Sequence, residues 1–540
     1  MKKIILLVVV CLSFLSCAEK KKEQVPPAKA PFSDVDTLAI NDWWNRADNP
    51  IINLKVNRDS VIAFGIYTVS GTTLKLSAQC YPLYPEETRT VRLEIKENGT
   101  WTEVQSQQLN DLGWSALFRV ENWDSSQDLK YRLRHGEKAR YEGTIRKNPM
   151  HKAEISLAAL SCNSNQDRGM RENYVRNINH QDPDLIFFAG DQSYDHTEHT
   201  AAWLKFGLQF RETFRHRPCI TIPDDHDIGQ GNLWGENGKV SVTKGSPDGG
   251  YRYHPEYVKM VERCQTAHLP DPFDPTPIEQ GIGVYYTNLV WGGVDFAILE
   301  DRKFKSGPEG KIPQQGPRPD HIRNPDYDPA SIDLPELKLL GERQLHFLKT
   351  WGETNTDATK VVLSQTGFCG GAHIHGTMDN RLHADLDSNG WPQTGRKKAL
   401  ELIQQANAVH IAGDQHLATV IKQGINEFGD GPWAFVVPAI VNDYYSRWWW
   451  PEDEKAGNNP NPNTSLPWTG DYLDGFHNKI SMKAYVNPES PSHGGGYGLI
   501  RFNTQTQDVT FECWPRNADV TQPDAQQFEG WPMTVSLKNN

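Results

Sequence analysis

The sequence predicts an α/β protein preceded by a small all-β domain, and three observations predict it. Residues 37–150 run in short stretches that alternate apolar and polar side chains between turn residues. Beyond residue 151, apolar strands alternate with helical stretches. Ligand-type polar residues fall directly after those apolar strands. At 540 residues the chain has room for two or three domains, each with its own core. Its composition, 37% hydrophobic and 23% charged, is that of an ordinary globular protein. The net charge of −12 argues against a nucleic-acid backbone or an anionic membrane surface as the main partner. An anionic substrate would therefore need positive charge supplied locally.

Taken in order, the first segment sets the compartment. Lys2 and Lys3 precede an apolar run, Ile4 to Leu15, that is too short to span a bilayer as a mature helix. Ser16 then stands directly before Cys17, and a charged stretch, Glu19 to Glu23, follows. Residues 1–17 read as a lipoprotein signal peptide with Cys17 the acylated N-terminus. The expected location is a bacterial cell envelope, the chain lipid-anchored to a membrane and facing periplasm or cell surface. A plain signal peptide, with Cys17 an ordinary residue, is the alternative. Residues 18–36, polar and proline-bearing, read as a flexible tether. The remaining cysteines from Cys80 to Cys513 show no CxxC pair and no disulfide framework.

Within 37–150, the alternating runs Thr73 to Ala78, Val91 to Ile95 and Leu129 to Leu133 are broken by turns such as Asn98-Gly99 and His135-Gly136. An Ig- or fibronectin-like sandwich is expected. It carries no cluster of ligand-type residues, so packing or substrate guidance is its expected role. Between 151 and 520, strands are expected at 155–160, 185–189, near 220, and at 284–289, 294–299, 361–364 and 409–412. Helices are expected at 171–179, 201–214, 334–351 and 396–406, Pro335 suiting a first turn. Stretches 229–250, 303–333 and 450–495, rich in Gly, Pro and Asn, read as surface excursions that shape access. Residues 521–540 read as a C-terminal extension.

The chemistry sits at strand ends, where loops far apart in sequence converge. Ser161-Cys162-Asn163, Gly190-Asp191-Gln192-Ser193-Tyr194, Asp224-Asp225-His226-Asp227, Glu300-Asp301-Arg302 and Gly413-Asp414-Gln415-His416 each follow an apolar strand. Carboxylates, amides and imidazoles suit hard or borderline cations, whereas a thiolate or phenolate favours a trivalent one. Asp191 has two oxygens with which to bridge two ions. Asp414 and His416, two apart on an extended segment, would point the same way. Any one Gly-Asp is more often a turn than a ligand; the ordered set reads as a metal site.

This order resembles the calcineurin-like metallophosphoesterases, specifically their PhoD-like alkaline phosphatase branch. The likeness covers about residues 150–515, with further matches at Leu340-Gly341, Ser364-Gln365-Thr366 and Asn389-Gly390-Trp391-Pro392. It implies a metallophosphoesterase-type β-sandwich core flanked by helices. It implies Cys162, Asp191 and Tyr194 around ferric iron, with Asp191 shared with a second site of Asp225, Asp414 and His416 that would take calcium; zinc or manganese are the alternatives. It further implies that His226 gives a hydrogen bond or proton to the transition state and that Arg302 clamps a non-bridging oxygen. The sequence departs from the branch pattern at Asp227 and Asn389. A water between two cations loses its proton near neutral pH and attacks phosphorus in line.

Asn163 is a candidate substrate contact, as are Trp448 and Trp449. Three successive tryptophan rings cannot all face one core, and an exposed ring beside a site can stack on sugars or bases. His373 and His375 alternate like strand ligands, although the resemblance does not require them. The expected function is an exported metal-dependent hydrolase of phosphomonoesters or phosphodiesters, its partner an anionic ester, free or carried on a glycan. The alternatives are a sulfatase acting on sulfated polysaccharide, although no Cys-x-Pro-x-Arg stretch occurs, and a non-catalytic surface glycan-binding lipoprotein. No nucleic-acid backbone binding is expected.

Overall fold

The computed structural model describes residues 32, 35–40, 43, 48–377, 379–443, 447–457, 464–489 and 491–538. Cys17, the expected signal peptide and nearly all of the tether lie outside the described residues.

Residues 62–145 build two antiparallel sheets. One orders Ile62–Ser70, Thr73–Cys80 and Ser115–Val120; the other orders Thr100–Gln108, Thr90–Glu97, Leu129–His135 and Ala139–Ile145. The alternation explains the second sheet, since Val91, Leu93 and Ile95 of one strand and Tyr131 and Leu133 of its neighbour are all buried. Asn98 and Gly99, at φ 48° and 84°, close the hairpin between Thr90–Glu97 and Thr100–Gln108, the geometry a two-residue turn needs to match strand twist.

Two larger sheets follow. A six-stranded sheet orders Cys219–Thr221, Leu185–Phe188, Glu154–Leu160, Gly496–Asn503, Asp508–Pro515 and Met533–Ser536. An eight-stranded sheet orders Thr287–Trp291, Val294–Ile298, Thr359–Thr366, Val409–Gly413, Trp433–Val436, Thr419–Gln423, Lys479–Tyr485 and Gly470–Leu473. The parallel strands of each are buried on both faces, which is why they read as unbroken apolar runs. The sheets meet face to face through Phe296 on Phe502 and Phe435 on Phe511. Gly498 is small because a Cβ there would press on the Phe435 ring. Helices Glu172–Gln181, His199–Phe214, Pro255–Thr266, Gly341–Glu353 and Gln393–Gln405 complete the domain.

The structure differs from the sequence reading in several places. The helix expected from 334 begins at Gly341, because Lys338 is held instead by Ser306, backbone to backbone at 2.9 Å and through Ser306 Oγ at 3.0 Å. The strand expected at 284–289 runs Thr287–Trp291, in register with Val294–Ile298. The 450–495 excursion contains two strands of the eight-stranded sheet, and the C-terminal extension supplies the outer strand of the six-stranded one. The junction at 150 divides sheets but not the core. Phe64 of the N-terminal sheet packs on Trp203 and Phe214, and a Cβ on Gly207 would overlap the Phe64 ring. Asp36, at the end of the expected tether, accepts hydrogen bonds from Thr200 N and Oγ1, both at 2.8 Å.

Candidate active site

The strand-end loops converge, and their backbones are bent to do so. Cys162, Asp191, Asp414 and His416 hold φ of 58°, 57°, 65° and 50°, a region that costs a side-chain-bearing residue of order 1–3 kcal/mol. Such strain persists only where the surroundings enforce it. Asp227 enforces part of it: its carboxylate accepts from Asp191 N, Gln192 N and Asp224 N at 2.8, 3.0 and 2.9 Å, tying the second loop to the third. Ser161 Oγ accepts from Asp414 N at 3.0 Å, tying the first to the last. Gly190, at φ 104°, is needed because a Cβ there would lie 2.5 Å from Asp224 Cβ. Asp414 and His416 meet the site from left-handed turns, not from the extended segment the spacing suggested.

Ligand atoms of Cys162, Asp191 and His416 lie within 4.8 Å of one another, as do those of Asp191, Asp225 and His226 and those of Asp191, Asp224, Asp225 and Asp414. Asp191 belongs to all three of these groups. Tyr194 joins through its hydroxyl, 2.7 Å from His416 Nε2, and Asn442 Oδ1 at 3.2 Å from His416 Nδ1 orients that ring. Burial raises the Asp191 carboxyl far above its ordinary value, and Asp224, Asp227 and Asp414 add to the rise. Burial and Asp191 likewise push the Cys162 thiol up, with Asp414 contributing. Asp191 Oδ1 and Asp225 Oδ1 are buried without a hydrogen-bond partner. Buried anionic oxygens without partners are costly unless a cation satisfies them, so the donor set fits metal ions. Asp191, Tyr194, Asp225, His226, Asp414 and His416 face a cavity of about 300 Å³.

Residues 204–447 match the family model described as PhoD-like phosphatase. The chain carries a PhoD-like phosphatase domain. A solved structure described as PhoD superposes with a TM-score of 0.59 at 14% identity, covering 88% of this chain and 90% of that one, which shows a shared fold. A laminaripentaose-producing β-1,3-glucanase of family 64 from Paenibacillus barengoltzii covers 18% of this chain and 26% of its own at 15% identity; its TM-score of 0.12 carries no argument. No curated protein sequence matches. Cys162, Asp191 and Tyr194 precede the matched span, and it is geometry that joins them to Asp225, Asp414 and His416.

Four expected contacts fall elsewhere in the chain. Arg302 is 1% exposed and does not face the cavity; it donates to Asp224 at 2.7 Å and Asp387 at 2.6 Å and pairs with Asp414 at 3.1 Å, so its charge already serves the protein's own carboxylates. Asn163 is buried with every polar atom engaged, by Gln192 O, Gln209 Oε1 and Arg171 Nε, and holds the loop instead of a substrate. Trp449 is fully buried, donating to Trp468 O at 3.0 Å and standing edge-on to Tyr472. Trp448 is half-buried in a short strand pairing with Ile374, and neither ring faces the cavity. His373 is likewise buried, its Nδ1 2.5 Å from Trp450 O.

The cavity is also lined by residues the sequence did not single out, His321, Asp385, Arg318 and Arg447 among them. His321, His375 and Asp385 form a second cluster with ligand atoms within 4.8 Å. Arg447 Nη1 is 3.0 Å from both His375 Nε2 and Asp385 Oδ2, so a guanidinium already meets this cluster's demand for positive charge and is held at the cavity by it. Arg318, paired with Asp320 at 2.8 Å, lines the same cavity. Asp224 stood in the motif but was not singled out. Arg447 carries no local signal, since its neighbours in sequence, Ser446 and Trp448, are not ligand-type residues.

Proposed function

We propose that this chain is an exported metal-dependent hydrolase of phosphate monoesters or diesters, anchored in a bacterial envelope through a lipid on Cys17. The observation that supports it best is the meeting of Cys162, Asp191, Asp225, Asp414 and His416 around buried carboxylate oxygens that have no protein partner. Bound there, iron with calcium, or zinc or manganese in their place, would acidify a water and neutralise the ester's oxygens. Asp191, common to the three groups around Cys162 and Asp225, is the residue best suited to serve two ions. Cys162 and Tyr194 make the first position the one suited to a trivalent ion. His226 faces the cavity with Nδ1 2.5 Å from His196 Nε2, so His196 fixes its ring and Nε2 is the nitrogen for protonating the leaving alkoxide. Arg447 takes over the clamp role first read for Arg302, because it is the arginine held at the cavity wall by a carboxylate and a neutral imidazole.

Protein loaded with iron and calcium is expected to hydrolyse p-nitrophenyl phosphate or bis-p-nitrophenyl phosphate and to lose that activity on chelation. Preferential turnover of p-nitrophenyl sulfate would replace this reading with the sulfatase one, and inertness toward all three esters would replace it with the glycan-binding one. The mass of the mature N-terminal peptide checks the anchor, an unmodified residue 17 ruling it out.

A further inference from the structure

The N-terminal four-stranded sheet carries a charge pattern that neither its packing nor the catalytic reading uses. Its inward face is apolar, through Val91, Leu93, Tyr131 and Leu133. Its outward face carries two basic rows, separated by a row in which Glu103, Glu94 and Glu142 accompany Arg132. The register sets Arg92 opposite Arg134 and Arg134 opposite Arg140, so three guanidinium-bearing residues stand side by side across three strands about 4.8 Å apart. Four residues along, Lys96 stands opposite Lys130. Like charges directly opposite one another destabilise a sheet. Glu94 offsets part of this, 4.0 Å from Arg134 Nη1 and in contact with Arg132. Arg132 is also held over the Trp101 ring at 4.4 Å, which fixes its position. Beside this row lies a concavity of about 610 Å³ bordered by Arg132, Arg134, Lys138 and Arg140 together with Asp59 and Glu137, so its lining keeps a net positive charge. The chain as a whole has a net charge of −12, so this face reverses the sign of the molecule.

We propose that this sheet face binds an anionic polysaccharide, one bearing carboxylate or sulfate groups along its length. A self-repelling row of arginines is relieved by a ligand whose own charges repeat along it, and guanidinium forks match planar or tetrahedral oxyanions through paired hydrogen bonds. A bilayer is a poorer match. Membrane-surface binding adds buried apolar area to charge attraction, and among the described residues of these four strands the large apolar side chain left exposed is Val104 alone. The role is recognition of a polymer, separate from hydrolysis, and stands or falls independently of the metal site.

Native gels cast with polygalacturonate, dextran sulfate or neutral dextran test it on the full-length protein. The two anionic polymers are expected to retard the protein and neutral dextran is not. Combined replacement Arg92→Ser, Arg134→Ser and Arg140→Ser is expected to weaken binding by about tenfold or more at moderate salt, since long-range steering is already screened there. That variant should melt no lower than the parent, since a self-repelling row has been removed, and should keep its ester turnover, because the row does not line the cavity; Arg140→Ser alone, at an exposed position, should show a smaller loss of binding. Equal migration in all three gels overturns the proposal. So does undiminished retardation of the triple variant, or tighter binding to phosphatidylglycerol vesicles or single-stranded DNA than to either anionic polysaccharide.

Discussion

Two groups of buried charge share Asp224 and Asp414 and differ in what balances them. On one side, Arg302 reaches Asp224, Asp387 and Asp414 at 2.7, 2.6 and 3.1 Å. On the other, Asp191 and Asp225 each keep an oxygen with no protein partner beside Cys162 and Tyr194. The first group carries its own cation and the second does not. Burial alone would raise Asp387, yet Arg302 and Lys305 hold it below its ordinary value. Burial and their carboxylate neighbours instead raise Asp191 and Asp225 far above theirs. Asp387 thus plays a structural part beside its guanidinium and Asp191 a ligand part without one, while Asp414 stands between them, paired with Arg302 and within ligand reach of Asp191.

The comparison breaks most visibly at Asp191. Asp191→Asn is expected to lower turnover of metal-loaded protein by roughly a thousandfold, about 4 kcal/mol of barrier, by removing the shared ligand. The chelated variant should be no less stable than chelated parent, because a repelling charge has been deleted. Near-parental kcat would show that Asp191 is not the shared ligand. Arg302→Met should do the reverse. Leaving three buried carboxylates without their partner is expected to lose about 3–5 kcal/mol of stability by urea unfolding, whatever the metal content. A variant as stable as the parent would mean the guanidinium is not what balances that group.

Stability against pH separates the groups more finely. With Asp191 and Asp225 raised, the chelated folded state binds more protons than the unfolded chain above the ordinary carboxylate range, so its stability should fall as pH rises through that window. Asp387, lowered, contributes stability that is present above its ordinary value and is lost only on acidification below it. Melting curves of chelated protein should therefore decline from mildly acid toward neutral pH, and metal should remove that decline. A flat chelated profile would contradict the unbalanced group.

What the sequence made legible follows the same division. Cys162, Asp191, Asp225, Asp414 and His416 could be read because strand-end position and residue type are local properties, and the structure brings all five together. The strands at 155–160, 185–189 and 409–412 could be read because burial on both faces leaves an apolar run. Arg302 could not be assigned correctly: whether an arginine faces a cavity or a buried carboxylate depends on Asp224, Asp387 and Asp414, which lie 78, 85 and 112 positions away. Trp448 and Trp449 misled because ring count says nothing about which ring has a partner such as Trp468 O. The strands at 470–473 and 479–485 hid inside a Gly- and Asn-rich stretch because the sheet edge, and not local pattern, selects them.

Arg447 gives the smallest expected effect and the sharpest check on where the substrate's charge is met. Its Nη1 is 3.0 Å from Asp385 Oδ2 and 3.0 Å from His375 Nε2, a bridging geometry that needs a planar fork. Lysine keeps the charge as a point on a flexible stem and cannot span both partners while facing the cavity. Arg447→Lys should therefore raise KM for p-nitrophenyl phosphate by about tenfold and change kcat only a few-fold, because uniform binding is lost while the ligand cluster around Asp191 is untouched. An unchanged KM would return the clamp role to another wall residue, with Arg318 next in line because it faces the same cavity. A collapse of kcat at unchanged KM would instead place Arg447 at the transition state, tying its cluster to the one around Asp191.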